Sequence, residues 1–232
     1  MMKNKLVAAG CGLLLSLSSI AASAKSLSDA MKDGLQTMAS EQLNADLDVG
    51  ELQVNSLTDG LTANKVRLAT RVDELSEPEN QLLLAKQLVL TGNWQALGSR
   101  RVDISKIAVS DAQLTVSYYG TGRSNLHEFL KQMSGMKVQK INSVPLRWQV
   151  DEWMMDNVTI NLFDKGEPIL SVHVDELALT DLQSMQDPDA QVKELLWPIL
   201  EQVIEQVRRG NSSLQVDSMA LSRFLLREAM AF

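Results

Sequence analysis

The sequence predicts an α+β protein: a curved, elongated antiparallel β-sheet, meander-like with a partial groove, flanked by N-terminal, short central and C-terminal amphipathic helices. Three observations predict it. From Ala45 to Leu179 apolar residues recur mostly at every second position, the period of a half-buried strand. Asp- and Gly-bearing pairs such as Asp59-Gly60 and Lys165-Gly166 punctuate these runs as turns. Segments 26–43, 125–133 and 188–209 switch to helical spacing.

The first 24 residues read as an export leader. Met1 to Lys5 is basic, Leu6 to Ile20 is apolar and small, and Ala22-Ser23-Ala24 is a cleavage site. Two other readings compete: lipidation at Cys11, against a weak Ala8-Ala9-Gly10 lipobox, and retention of residues 6–24 as an inner-membrane anchor, against Ser16, Ser18, Ser19 and Ser23. Removing 24 of 232 residues leaves 208, enough for a single domain over 45–232 preceded by a helix at 25–44. The leader takes Lys3 and Lys5 with it, so 20 basic groups face 29 acidic ones and the net charge is −9. Such a chain, without a basic block, excludes nucleic acid as a partner. Cys11 is its one cysteine, so the mature chain has neither disulfide nor thiolate chemistry.

Leu27, Met31, Leu35, Met38 and Leu43 make helix 26–43 amphipathic. Leu47/Val49, Leu52/Val54, Leu61/Ala63 and Val66/Leu68 alternate as strands, broken at Gly50 and Asp59-Gly60. Residues 73–80 are an acidic loop, and Leu82/Leu84 with Leu88/Leu90 form the next strand around Lys86. Ile104, then Ile107 and Val109, slips by one residue as at a bulge. Ser110-Asp111-Ala112 is expected to turn, as is Asp156-Asn157. Val109-Ser110-Asp111-Ala112 and Met155-Asp156-Asn157-Val158 look like two copies of one solution. Ser124 is placed to cap helix 125–133, whose apolar side is Leu126, Phe129, Leu130 and Met133. Asp187, Pro188 and Gly210 bracket a long helix with Pro198 inside it, and 219–232 is a further helix.

No chemistry-bearing constellation emerges. His127 and His173 are isolated from each other and from any cysteine, which argues against zinc. Gly120-Thr121-Gly122-Arg123-Ser124-Asn125 lacks the third Gly of a dinucleotide fingerprint and the Gly-Lys-Ser/Thr of a P-loop. Neighbouring acids such as Asp151/Glu152 and Asp175/Glu176 point to opposite faces of a strand. No enzyme activity, cofactor or metal is expected.

At Ile104-x-x-Ile107-x-Val109-x-Asp111-Ala112-x-Leu114-x-Val116, followed by Gly122-Arg123-Ser124-Asn125-Leu126-x-x-Phe129-Leu130, the chain resembles the AsmA-like proteins. Val49-x-x-Leu52-x-Val54-x-x-Leu57 and Gly60-Leu61 resemble that family's opening strands and turn. It departs where Ala112 stands in place of a frequent proline, and in a leader that looks cleavable. The resemblance implies a short, single-module periplasmic protein of the bacterial envelope, connected with outer-membrane homeostasis, and no catalytic residues. Its expected ligand is a phospholipid or acyl chain in a β-groove lined by Leu114, Val116, Trp148, Val150, Val158, Ile160, Val172 and Val174. The alternative is an adaptor that meets an envelope protein partner through its sheet edge or amphipathic helices.

Overall fold

Apolar residues at alternate positions are buried when strands pair so that those positions share a face. The computed structural model, which describes residues 24–56, 60–93, 101–135, 147–183, 201 and 215–229, carries this out over six long strands. The elements in order are α1 (Ala24–Gln42), β1 (Ala45–Ser56), β2 (Gly60–Thr70), α2 (Glu77–Asn80), β3 (Gln81–Asn93), β4 (Arg101–Gly120), β5 (Arg123–Ser124), α3 (Asn125–Gly135), β6 (Arg147–Asp164), β7 (Glu167–Gln183), β8 (Gln215–Val216) and α4 (Ser218–Ala229). The class is α+β, as expected. The predicted leader up to residue 23, Trp94, Leu97 and helix 188–209 apart from Glu201 lie outside the described residues.

The sheet is open, with order β1-β2-β3-β4-β6-β7-β8 and β5 beside β4. Every pair is antiparallel except β4 and β6, which run parallel. A parallel pair needs a long crossover. The connection between β4 and β6 contains β5 and α3, which makes it one.

The register lines up apolar side chains in transverse rows. One row runs Leu47, Leu68, Leu83, Leu114, Ile160, Val172, and the next Val49, Val66, Ala85, Ala112, Val158, Val174. Then come Leu52, Ala63, Leu88, Val109, Met155, Leu177, and after them Val54, Leu61, Leu90, Ile107 and Trp153. Between the second and third rows the spacing is three residues, not two. Each strand therefore reads apolar-polar-polar-apolar there: Val49 to Leu52, Ala63 to Val66, Ala85 to Leu88, Val109 to Ala112, Met155 to Val158 and Val174 to Leu177.

This is a crease across the whole sheet. Gly50, Lys65, Lys86, Asp111, Asn157 and Asp175 stand in one line, and the ladder skips them in all six strands. Lys65, Asp111 and Asn157, on the three strands running one way, have φ of 54°, 49° and 54°. Asp and Asn tolerate this left-handed backbone better than most side chains. Asn157 Nδ2 donates to Asp111 Oδ1, and Lys86 Nζ lies 3.1 Å from Asp111 Oδ2. The Asn157 hydrogen bond and then Lys86 hold the Asp111 carboxyl below the usual carboxylate range. A second, partial skip falls at Ser105 and Asp151, between Ile104/Val150 and Ile107/Trp153.

The crease corrects two expectations. Ser110-Asp111-Ala112 and Asp156-Asn157 are not turns; β4 and β6 run through them as single strands of 20 and 18 residues. Turn-forming residues occur there because one left-handed residue is needed to flip the alternation, not to reverse the chain. The Lys165-Gly166 reversal is a true two-residue turn, both φ positive at 53° and 84°, which suits a hairpin. Residues 73–80 are also more ordered than the expected loop. They end in the one-turn α2, with a capping box between Ser76 and Glu79.

Three helices lay apolar residues on the row-bearing face: Met31 and Leu35 from α1, Leu126 and Leu130 from α3, Leu221 and Phe224 from α4. Among the described residues no helix is long and apolar enough to cross a membrane.

The crease makes a direct prediction. Asn157→Gly is expected to lower the urea-unfolding free energy by no more than about 1 kcal/mol, because glycine accepts the left-handed backbone and only the exposed bond to Asp111 is lost. Asn157→Val loses that bond as well and is expected to cost about 1–2 kcal/mol more, the steric cost of that conformation for an ordinary side chain.

Candidate functional site

Three features of the fold are candidates for function: the apolar inner face, the end of β4 where α3 begins, and a polar cleft beside it. The inner face holds seven of the eight expected groove residues. Leu114, Ile160 and Val172 share one row and Val158 and Val174 the next, while Val116 and Val150 stand in rows at opposite ends. The Trp148 side chain lies outside the described residues. Val116, Val150, Val158, Ile160, Val172 and Val174 are at most 3% exposed and belong to the core. They are brought together as interior, not as the lining of an open groove. Half-buried positions fall toward both ends of the face, at Leu47, Leu68, Leu83 and Leu114 on the α3 side and at Val54, Leu90, Ile104, Ile107 and Trp153 on the other, where they pack against the core without being enclosed by it.

The end of β4 shows why the Asn125-Leu126 pair matters. The pairing of β3 with β4 reaches only Leu83 with Leu114, so β4 continues without that neighbour. Asn125, wholly buried, fills the place of the missing strand. Its Oδ1 accepts from Ser117 N at 3.0 Å and Leu126 N at 2.8 Å. Its Nδ2 donates to Thr115 O at 2.9 Å and Glu79 O at 3.0 Å. That uses the full capacity of a primary amide.

Beside it, Ser124 Oγ accepts from His127 N at 3.2 Å, the predicted N-cap, and lies 2.7 Å from His127 Nδ1. The pair looks like a nucleophile and base, but Ser124 is fully buried and its oxygen is committed to the helix start. Tyr118 packs edge-to-face between His127 and Phe224, with ring centroids at 5.6 and 4.8 Å. Leu126 and Leu130 enter the core beneath. The loop expected at Gly120–Asn125 is thus a structural joint.

The cleft encloses about 240 Å³ and is lined by the α1–β1 joint, residues 70–74, Tyr119, Arg123 and α3. Arg123 stacks over Tyr119 at 4.5 Å and pairs with Glu74 at 2.9 Å. Tyr119 Oη donates to Glu128 at 2.9 Å. Burial, followed by the bond to Glu128, pushes the Tyr119 phenol up to about 12. Arg71 pairs with Asp46 and donates to Ser40 Oγ at 3.1 Å. These charges satisfy one another, and the phenol is made a poorer acid, the opposite of what an activated base or nucleophile needs. Sequence spacing gave no sign of this network, whose Arg123–Glu74 pair joins residues 49 apart.

Among the described residues no group of three or more His, Cys, Asp or Glu side chains is placed to hold a metal ion. His173 Nε2 lies 3.4 Å from the exposed Asp175, an ion pair only when the ring is protonated. Met219, Leu225 and Leu226 on α4 are 70%, 44% and 63% exposed, while Arg227 fixes the helix to Asp164 with two 2.8 Å bonds. No family model, curated protein or solved structure matches the chain.

Two measurements check these assignments. Asn125→Ala strands four backbone groups and is expected to lower the urea-unfolding free energy by about 3 kcal/mol or more. The chain has two tyrosines, so the difference between the tyrosinate titrations of the parent and Tyr119→Phe isolates Tyr119. Its midpoint is expected near 12 and should fall in Glu128→Gln. Because the folded value is raised, this group's stabilising contribution is complete below about 10, the unfolded value. It is lost as pH rises through about 12.

Proposed function

We propose that the chain is a non-catalytic periplasmic protein of the bacterial envelope that binds a phospholipid or other acyl ligand along the apolar inner face of its creased sheet. The observation that carries this reading is the row structure: apolar side chains aligned without a break across six strands, with half-buried margins at both ends of the face. A continuous apolar surface of that kind suits a methylene chain. The self-satisfied polar cleft supports a binding role over a catalytic one. The AsmA-like pattern supports the same reading, since Ile104-x-x-Ile107-x-Val109-x-x-Ala112 is the spacing that the two ladder skips require. A role in outer-membrane homeostasis follows from it.

A second reading, an envelope adaptor, is favoured by the exposed Met219, Leu225 and Leu226 on α4. Native mass spectrometry of protein purified from the periplasm separates the two. The expected outcome is a monomer without its leader carrying a lipid-sized adduct. A stoichiometric protein partner with no extracted lipid would replace the ligand-binding reading with the adaptor.

A further inference from the structure

Trp153 occupies the outermost row that crosses all six long strands. Its neighbours along that row are Ile107, Leu90, Leu61 and Val54, all aliphatic. At roughly 4.8 Å per strand the row spans about 19 Å from β1 to β6. The Trp153 ring packs against the core, and its Nε1 atom is closed off from solvent with no hydrogen-bond acceptor. Buried donors are almost always paired, and an exception calls for an explanation. The indole N–H can only donate. It therefore selects an oxygen acceptor and rejects an ammonium group. None of the five side chains of the row carries a charge, so a carboxylate placed there would be desolvated without a cation. A neutral carbonyl has no such penalty.

We infer that Trp153 Nε1 is the polar anchor of the inner face: when the half-buried ring turns toward the open side of the row, Nε1 donates to the carbonyl oxygen of an acyl ester whose methylene chain lies along the row. This rests on the acyl-binding reading above and narrows it from apolar matter in general to esterified chains.

The test uses the full chain with indole-¹⁵N-labelled tryptophan and three probes of equal length: a long-chain methyl ester, the free fatty acid and the alkane. The Trp153 indole resonance, assigned by its loss in Trp153→Phe, is expected to move downfield with the ester and stay in place with the alkane. Trp153→Phe keeps the aromatic bulk and removes the donor. It is expected to weaken ester binding roughly fivefold to tenfold and alkane binding less than about twofold, the scale of one hydrogen bond. The free acid should bind more weakly than the ester at neutral pH. A tighter free acid would overturn the assignment to esters. If ester and alkane bind alike and the indole resonance is unmoved, the anchor is wrong while acyl binding stands. If none of the three binds, both readings fall. Should that variant fail to fold, the chain's other three tryptophans are assigned instead, through Trp94→Phe, Trp148→Phe and Trp197→Phe, and the shift of the remaining indole in the parent chain decides alone.

Discussion

An apolar face that runs the length of the sheet depends on each long strand placing its extra residue at the same level. A slip of one residue in a single strand would send the remainder of its apolar side chains to the opposite face. The skips at Gly50, Lys65, Lys86, Asp111, Asn157 and Asp175 are instead aligned, so neighbours change phase together and the ladder resumes in register. The cost is left-handed backbone at Lys65, Asp111 and Asn157, about 1–2 kcal/mol each. What it secures is that the apolar side chains beyond the crease stay on the inner face, with Leu52, Leu61, Val109, Met155 and Leu177 fully buried at roughly 1.5–3 kcal/mol each. Summed over the sheet, that burial outweighs the backbone cost. Asp111 and Asn157 reduce that cost further, because the amide of one strand bonds the carboxylate of the next.

The other constraint is the unequal length of the strands. β4 outruns β3, and an unpaired stretch of buried backbone would be costly. Asn125 meets that need with one side chain, and the helix it opens then delivers Leu126 and Leu130 to the core. Asp217 plays the matching part at the far edge. It receives the N–H groups of Met219 and Ala220 at 3.0 and 2.9 Å, while its own N–H donates to Ile169 O. α4 is thereby set where Phe224 reaches Tyr118 and Arg227 reaches Asp164.

Much of this was legible in alternation alone, since strands, helices α1, α3 and α4, and the Ser124 cap follow from period and capping chemistry. The repeated apolar-polar-polar-apolar unit at Val109 and Met155 was visible too, but local propensity reads Ser110-Asp111 and Asp156-Asn157 as reversals. Only pairing shows that the same spacing recurs in all six strands and carries the chain straight on. The parallel pairing of β4 with β6 was hidden for a related reason: a strand's alternation does not state the direction of its neighbour. The network of Tyr119, Arg123, Glu74 and Glu128 left no trace, because exposed charges are free to pair with whatever the fold brings near.

The crease also runs through the middle of the enclosed core. The rows that flank it, Val49 to Val174 on one side and Leu52 to Leu177 on the other, are buried at every position but Leu88. Half-buried side chains lie farther out, at Leu47, Leu68, Leu83 and Leu114 toward α3 and at Val54, Leu90, Ile107 and Trp153 toward the other end. A face that is apolar throughout but fully enclosed only along its middle combines a rigid support with receptive margins. The support fixes strand spacing through the Asp111 network, and the margins inherit that spacing.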